Sequence, residues 1–228
     1  MEYPDLPGSL ARVRETVARH QAVAGWTHPV RIIAVTKGHG PDAVRAAALA
    51  GLEDVGENRV QEALEKQDQL QETQVVWHLI GTLQRNKARR AAGRFALIHS
   101  VDRIDLAVEL DRRSAPGSRQ RTLVQVNCSD EPQKGGVEPG ELPALLDGLR
   151  GLPRLEVTGL MTMSALTDDP GEQRRAFRRL RELRDAAERE GHRLPELSMG
   201  MSGDYPVAVE EGATMMRLGT VLFGERAG

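Results

Sequence analysis

Lys37 ends the run Arg31-Ile-Ile-Ala-Val-Thr-Lys37, and period two puts it on one face with Ile33 and Val35. An amine held against apolar walls loses solvation of its charged form. The neutral amine that attacks aldehydes is then favoured. A strand-end lysine also has a plainer use, capping the strand and reaching solvent. A second group far along the chain narrows the choice. Met199-Gly-Met-Ser202-Gly203-Asp204 closes one apolar run, with Ser202 or Asp204 placed to open a short helix. Met216-Arg217-Leu218-Gly219-Thr220 lies in the next run. Gly219 lets an anion approach backbone N–H groups, and the hydroxyls of Ser202 and Thr220 add donors. An amine beside such a cradle suits a phosphorylated aldehyde. The competing reading is that Gly219 and Gly224 serve packing alone.

Residues so far apart meet only if the fold collects strand ends at one place. Eight short runs rich in Val, Ile, Leu and Met recur: 31–37, 54–58, 75–81, 96–102, 122–127, 155–163, 196–202 and 215–224. Helical periodicity fills the gaps, as in 41–50, 59–70, 103–113, 139–149 and 172–190. Near-continuous apolar strands alternating with helices predict a parallel sheet covered by helices. Eight such units fit an α/β fold, a single (β/α)8 TIM-type barrel spanning 1–228, whose chemistry sits at the C-terminal strand ends. Loops after the seventh and eighth strands of such barrels recurrently hold phosphate. An open doubly wound sheet is the runner-up, without a Gly-rich fingerprint to support it.

Pro41 and Pro170 read as first-turn prolines behind the caps Gly40 and Asp169, and Asp102 is placed to cap a helix opening at Arg103. Phe177, Leu180, Leu183 and Ala187 make one apolar stripe. A last strand reaching Gly224 leaves four residues, too few for an eighth helix. Leu10–Val23, with Val13, Val17 and Val23 on one face, is expected to complete the helical ring.

The 31 Lys and Arg against 33 Asp and Glu leave a net charge of −2, which argues against general nucleic-acid binding. Cys128 is the one cysteine, so no internal disulfide or cysteine zinc cluster forms; the six histidines show no helical ligand pair, and no metal is expected. The start MEYPDLPGSLARVRE lacks a signal-peptide pattern, and no run of about 18 apolar residues spans a membrane. A cytoplasmic protein is expected.

Ala34-Val-Thr-Lys37, Gly56-Glu-Asn58, His78-Leu-Ile-Gly81 with Gln84, Asn86 and Lys87, Gly159-Leu-Met161, Ser198-Met-Gly-Met-Ser202-Gly-Asp204 and Arg217-Leu-Gly219-Thr220 with Phe223-Gly224 occur in this order. The chain thereby resembles the YggS/PROSC family of pyridoxal 5′-phosphate homeostasis proteins, related to the N-terminal barrel of alanine racemase. The likeness runs from about residue 8 to 226. It implies a Schiff base between Lys37 and pyridoxal 5′-phosphate. It also implies a phosphate grip of Ser202, Gly219 and Thr220, Arg217 facing the pyridine nitrogen, Asn58 and Met161 near the ring, and a monomer. His78 matches a family motif without an assigned role. Lys134, in Asp130-Glu-Pro-Gln-Lys-Gly-Gly136, resembles a family loop able to accept or pass on the cofactor; the alternative is a solvated lysine.

A guanidinium is charged and only donates hydrogen bonds, so Arg217 would keep the ring nitrogen unprotonated and the cofactor a poor electron sink. Racemases resembling this barrel take a second base, a tyrosine, from a further C-terminal domain. The tyrosines here are Tyr3 and Tyr205, and Tyr205 reads as packing or rim. The expectation is therefore a carrier that buffers or delivers a reactive aldehyde, with pyridoxal-phosphate-dependent apoenzymes as candidate recipients and no catalytic residue assigned. A low-activity amino-acid racemase is the first alternative. An RNA-binding or scaffolding protein, argued from Arg85-Asn-Lys87-Ala-Arg89-Arg90 and the arginine-rich segment 172–193, is the second; such runs are usually solvated helix faces.

Overall fold

The computed structural model describes residues 3–129, 131 and 134–225. Its elements run α1 (Leu6–Ala24), β1 (Arg31–Val35), α2 (Pro41–Leu49), β2 (Asp54–Glu57), α3 (Val60–Gln69), β3 (Val76–Leu79), α4 (Ala88–Ala91), β4 (Leu97–Val101) and α5 (Ile104–Arg113). They continue with β5 (Gln120–Gln125), α6 (Leu142–Arg150), β6 (Leu155–Met161), α7 (Pro170–Arg189), β7 (Glu196–Ser198), α8 (Tyr205–Glu210), β8 (Met215–Leu218) and α9 (Thr220–Phe223). Among these residues eight strands close into a barrel in sequence order, every pairing parallel. Closure excludes the open doubly wound alternative.

The strands are held from both sides, which is why they read as apolar runs. Ile33, Leu97, Leu123, Met161 and Met215, from five strands, pack together inside the barrel. The other faces bury Ala34, Val55, Leu79, Ile98, Val124, Leu160 and Leu218 against the helices. α1 lies over the β1–β8 seam and buries Leu6, Leu10, Val13 and Val17 in one cluster with Val209, Leu222 and Phe223. Each such side chain contributes about 1.5–3 kcal/mol of transfer free energy. Val23 departs from the predicted face: it is 77% exposed, because the apolar stripe has rotated away by the last turn.

Two further expectations are corrected. The eighth strand stops at Leu218, and Thr220–Phe223 form a helical turn rather than strand. Asp102 does not cap α5. Arg103 is the cap residue, extended, and the Asp102 carboxylate accepts from the Arg103 guanidinium at 2.6 Å. Gly40 and Asp169 occupy the predicted caps of α2 and α7, and the Asp169 carboxylate accepts from Gly171 N–H.

Three of the arginines of α7 are tied to the fold. Arg174, Arg178 and Arg181 converge on the buried carboxylate of Glu211, and Arg174 also pairs with Glu210. Burial pushes the Glu211 carboxyl up, and the three guanidinium hydrogen bonds outweigh it, so its pKa lies below the ordinary range. These charges bind α7 to α8, which weakens the nucleic-acid reading of the segment. No helix among the described residues is long and apolar enough to cross a membrane.

Candidate functional site

Lys37 sits just past the end of β1, in a turn closed by His39 N–H donating to Thr36 O at 3.1 Å. The third position of that turn is Gly38 at φ +73°, a conformation L side chains rarely adopt. A buried clamp holds the turn from behind. Lys66 Nζ, on α3, donates to Thr36 O at 2.8 Å and to Glu57 Oε1 at 2.6 Å; Thr36 Oγ1 donates to the same oxygen at 2.6 Å. Glu62 Oε1 accepts from Gly38 N–H at 2.9 Å. Burial pushes the Glu57 carboxyl above its ordinary value, against the opposing hydrogen bonds from Lys66 and Thr36. The backbone on both sides of Lys37 is thus tied to α3.

A cavity of about 750 Å³ opens at the C-terminal strand ends. Lys37, Arg217, Ser202, Gly219 and Thr220 all line it, with Val35, Ile80, Met163 and Met201 as apolar walls. The structure therefore brings together five residues that sequence reasoning selected from opposite ends of the chain. Ser202 does not open the helix that follows β7. Its Oγ accepts from Val221 N–H at 3.2 Å, across in the first turn of α9. In that turn Leu222 and Phe223 N–H donate to Gly219 O and Val221 N–H to Ser202 Oγ, so this corner of the cavity is set by the Ser202 and Thr220 hydroxyls. Asp204 is buried, and its carboxylate accepts from Ser164 Oγ and Met201 N–H, which fixes the loop carrying Ser202.

Arg217 forms the floor. It is 4% exposed, with Nη1 donating to Ser198 Oγ at 2.7 Å and Nη2 to Thr162 O at 2.8 Å. Burial lowers its pKa to about 10, with Asp204 opposing the shift, so it is charged at neutral pH.

The remaining predicted residues stand elsewhere. Met161 is buried in the interior layer beneath the cavity. Asn58 follows β2, and its backbone lies so close to Gly81 that a Cβ there would come within 2.3 Å of Asn58 O. His78 lies deeper in the barrel, bonded to Asp54 and His99. Lys134 reaches the cavity rim, donates to Ser164 O and pairs with Glu131; Asp130, Pro132 and Gln133 of its loop lie outside the described residues. His39 also lines the cavity, with Tyr3 and Phe223 packed on its ring. Tyr205 is buried in the core with α1 and α9. Cys128 is buried. Thr36, Glu57, Glu62 and Lys66 were missed by sequence reasoning. The signal available was a lysine and a glutamate at core-facing positions of one helix and one strand.

Fold and site together define a class: a (β/α)8 barrel presenting a strand-end lysine, a buried arginine and a hydroxyl-lined corner at its C-terminal mouth. A family model described as the alanine racemase N-terminal domain matches residues 9–227. Pyridoxal phosphate homeostasis proteins of Aquifex aeolicus (44% identical, 95% of this chain, 96% of the relative) and Pseudomonas aeruginosa (43%, 95% and 92%) match along nearly their whole length. The chain belongs to the pyridoxal phosphate homeostasis protein family. PipY of Synechococcus elongatus, 40% identical, superposes with a TM-score of 0.86 without pyridoxal phosphate (96% of this chain, 100% of that one). Its structure with pyridoxal phosphate bound superposes at 0.81 (92% and 100%). An alanine racemase of Clostridium difficile, 12% identical, shares the fold at a TM-score of 0.73 over 94% of this chain and 61% of its own.

Proposed function

We propose that this chain holds pyridoxal 5′-phosphate reversibly and buffers or delivers it. One observation carries the reading: a lysine from the end of β1 and a cradle of Ser202, Gly219 and Thr220 from beyond β7 and β8 line one cavity. The residues fit the group. The volume suits a small aromatic phosphate, hydroxyl and backbone donors suit its phosphate, and Val35, Ile80 and Met163 suit the faces of a ring. The Lys37 amine adds to the aldehyde carbon, a C–N bond forms and water leaves; readmitted water reverses the step. Arg217 donates toward the pyridine nitrogen, which disfavours its protonation. Met161, in the layer beneath, and Asn58, just past β2, back the cavity from outside its lining, and Lys134 at the rim offers a second amine for release. When bound, the group supplies an electrophilic aldehyde and an electron sink that Arg217 weakens.

Racemisation needs a second proton-transferring group across the cavity. Tyr205, packed in the core, does not supply it. The likeness to PipY with pyridoxal phosphate bound supports the cofactor. The family likeness supports a single barrel acting as a cytoplasmic monomer that serves pyridoxal-phosphate-dependent apoenzymes rather than nucleic acid. The test is a visible spectrum of the protein mixed with pyridoxal phosphate, before and after borohydride, followed by peptide mapping. The expected result is an imine band lost on reduction and a label on Lys37, with both absent in Lys37→Ala. A band and label that survive in Lys37→Ala would sink the reading.

A further inference from the structure

A chain of hydrogen bonds runs down the barrel interior from Arg217 to the opposite mouth. Arg217 Nη1 donates to Ser198 Oγ at 2.7 Å, and Ser198 Oγ lies 2.9 Å from His99 Nδ1. His99 Nε2 lies 3.0 Å from His78 Nδ1, and His78 Nε2 lies 2.8 Å from Asp54 Oδ1. Ser198 and His99 are fully buried and His78 is 1% exposed, whereas the Asp54 side chain is 18% exposed. The chain takes one residue from each of five strands, β8, β7, β4, β3 and β2. It joins the cavity floor to the end of the barrel where the strands begin.

The direction of every bond follows from its ends. A carboxylate only accepts, so His78 Nε2 carries hydrogen. With one proton on each imidazole, His78 Nδ1 accepts, and His99 Nε2 must be the donor to it. His99 Nδ1 is then an acceptor, so Ser198 donates its hydroxyl hydrogen to His99 and keeps its lone pairs for Arg217. The charged groups around the pair are Asp54 from β2, Arg31 from β1 and Arg217 from β8. Arg31 Nε lies 3.9 Å from Asp54 Oδ2, and its Nη1 lies 3.8 Å from Glu196, which also pairs with Arg121. Burial first, and then His78, Arg217 and Arg31, hold the His99 imidazole well below the ordinary histidine range, in keeping with a neutral ring. A proton added to His78 has the opposite consequence. Its Nδ1 becomes a donor, His99 must move its hydrogen to Nδ1, and the Ser198 hydroxyl loses its acceptor. The bonds between Ser198 and His78 therefore reverse together, without movement of any heavy atom.

We propose that Asp54, His78, His99 and Ser198 are positioning residues for Arg217, a polarity-fixed relay through which the far end of the barrel sets the guanidinium presented to the cofactor ring. The proposal rests on the reading of the cavity given above, and its test separates the two. Nitrogen-15 histidine spectra of the full chain without cofactor should show His78 and His99 both protonated at Nε2 only. Removing the carboxylate in Asp54→Leu should redistribute the His99 hydrogen to Nδ1. The same variant should weaken pyridoxal phosphate binding by about tenfold, the scale of one charge-assisted hydrogen bond, and move the pH midpoint of the visible band. Asp54→Glu should restore both. If Asp54→Leu does not fold, Asp54→Asn, which can accept or donate at His78, should give a mixture of His99 tautomers. A wild-type His99 protonated at Nδ1, or an Asp54→Leu or Asp54→Asn protein whose tautomers or band are unmoved, would overturn the proposal. Wild-type protein that forms no imine at Lys37 would overturn the cavity reading and the positioning role with it, while the tautomer spectra would still report the hydrogen-bond directions by themselves.

Discussion

Lys66→Met tests the clamp that carries Lys37. The Lys66 side chain is 7% exposed and that of Glu57 0%. The substitution keeps an apolar stem of similar length and deletes two bonds, to Glu57 Oε1 and to Thr36 O. Glu57 keeps one donor, the Thr36 hydroxyl. Removing one partner of a buried ion pair costs about 3–5 kcal/mol, because the other charge stays desolvated. The retained hydroxyl bond and the methionine packing place the expected loss at the lower end, about 3 kcal/mol at pH 7. A second consequence fixes the pH dependence. Burial already raises the Glu57 pKa above the ordinary 4.5, and loss of Lys66 raises it further. The native state then binds the proton more readily than the unfolded chain, so stability falls as pH rises from the unfolded value through the folded one. The deficit should therefore shrink toward pH 5. Urea unfolding followed by circular dichroism measures it, with unchanged m-values as the check on two-state behaviour. Glu57→Gln combined with Lys66→Met removes the stranded charge and should recover at least about 1.5 kcal/mol. A single-variant loss below about 1 kcal/mol that does not vary with pH, or a double variant no better than the single, would refute the clamp.

Two further outcomes are expected. His99 is held below its unfolded pKa near 6.5, so its contribution to stability is complete above that pH and is lost progressively as pH falls below it toward the folded value. In His99→Gln the acid limb of an unfolding-versus-pH curve should flatten below pH 6.5; an unchanged limb would show that His99 does not drive it. Glu211→Ala strands Arg178 and Arg181 and leaves Arg174 with Glu210; all three are partly solvated, so the expected loss is only about 1–2 kcal/mol, larger at low salt. Chemical denaturation at two ionic strengths measures it, and a loss independent of salt counts against the ionic lock.

The barrel was legible because parallel strands buried on both faces read as unbroken apolar runs, and their alternation with helices left few topologies. Lys37, Ser202, Gly219 and Thr220 were legible for a related reason: strand-end positions in such a fold share one mouth, so residues 37 and 220 become neighbours once the strands are ordered, while Arg217 was legible through the family resemblance. Element ends were less so. Thr220-Val-Leu-Phe223 is apolar throughout, and four apolar residues do not distinguish strand from helical turn. Only the packing of Leu222 and Phe223 under α1 decides for the helix.

The two buried polar networks belong to tertiary structure alone. Lys66 finds Thr36 thirty positions away, and His99 finds Ser198 ninety-nine positions away. Polar partners of this kind carry no periodicity, since each residue is chosen by what the neighbouring strand or helix places opposite it. By itself the chain of residues determined which side chains could hold an aldehyde and a phosphate, and in which fold. Barrel closure decided which of them share a cavity, what clamps the lysine, and which way the hydrogens point beneath the arginine. Those depend on distances of a few ångströms between segments that adjacency along the chain does not constrain.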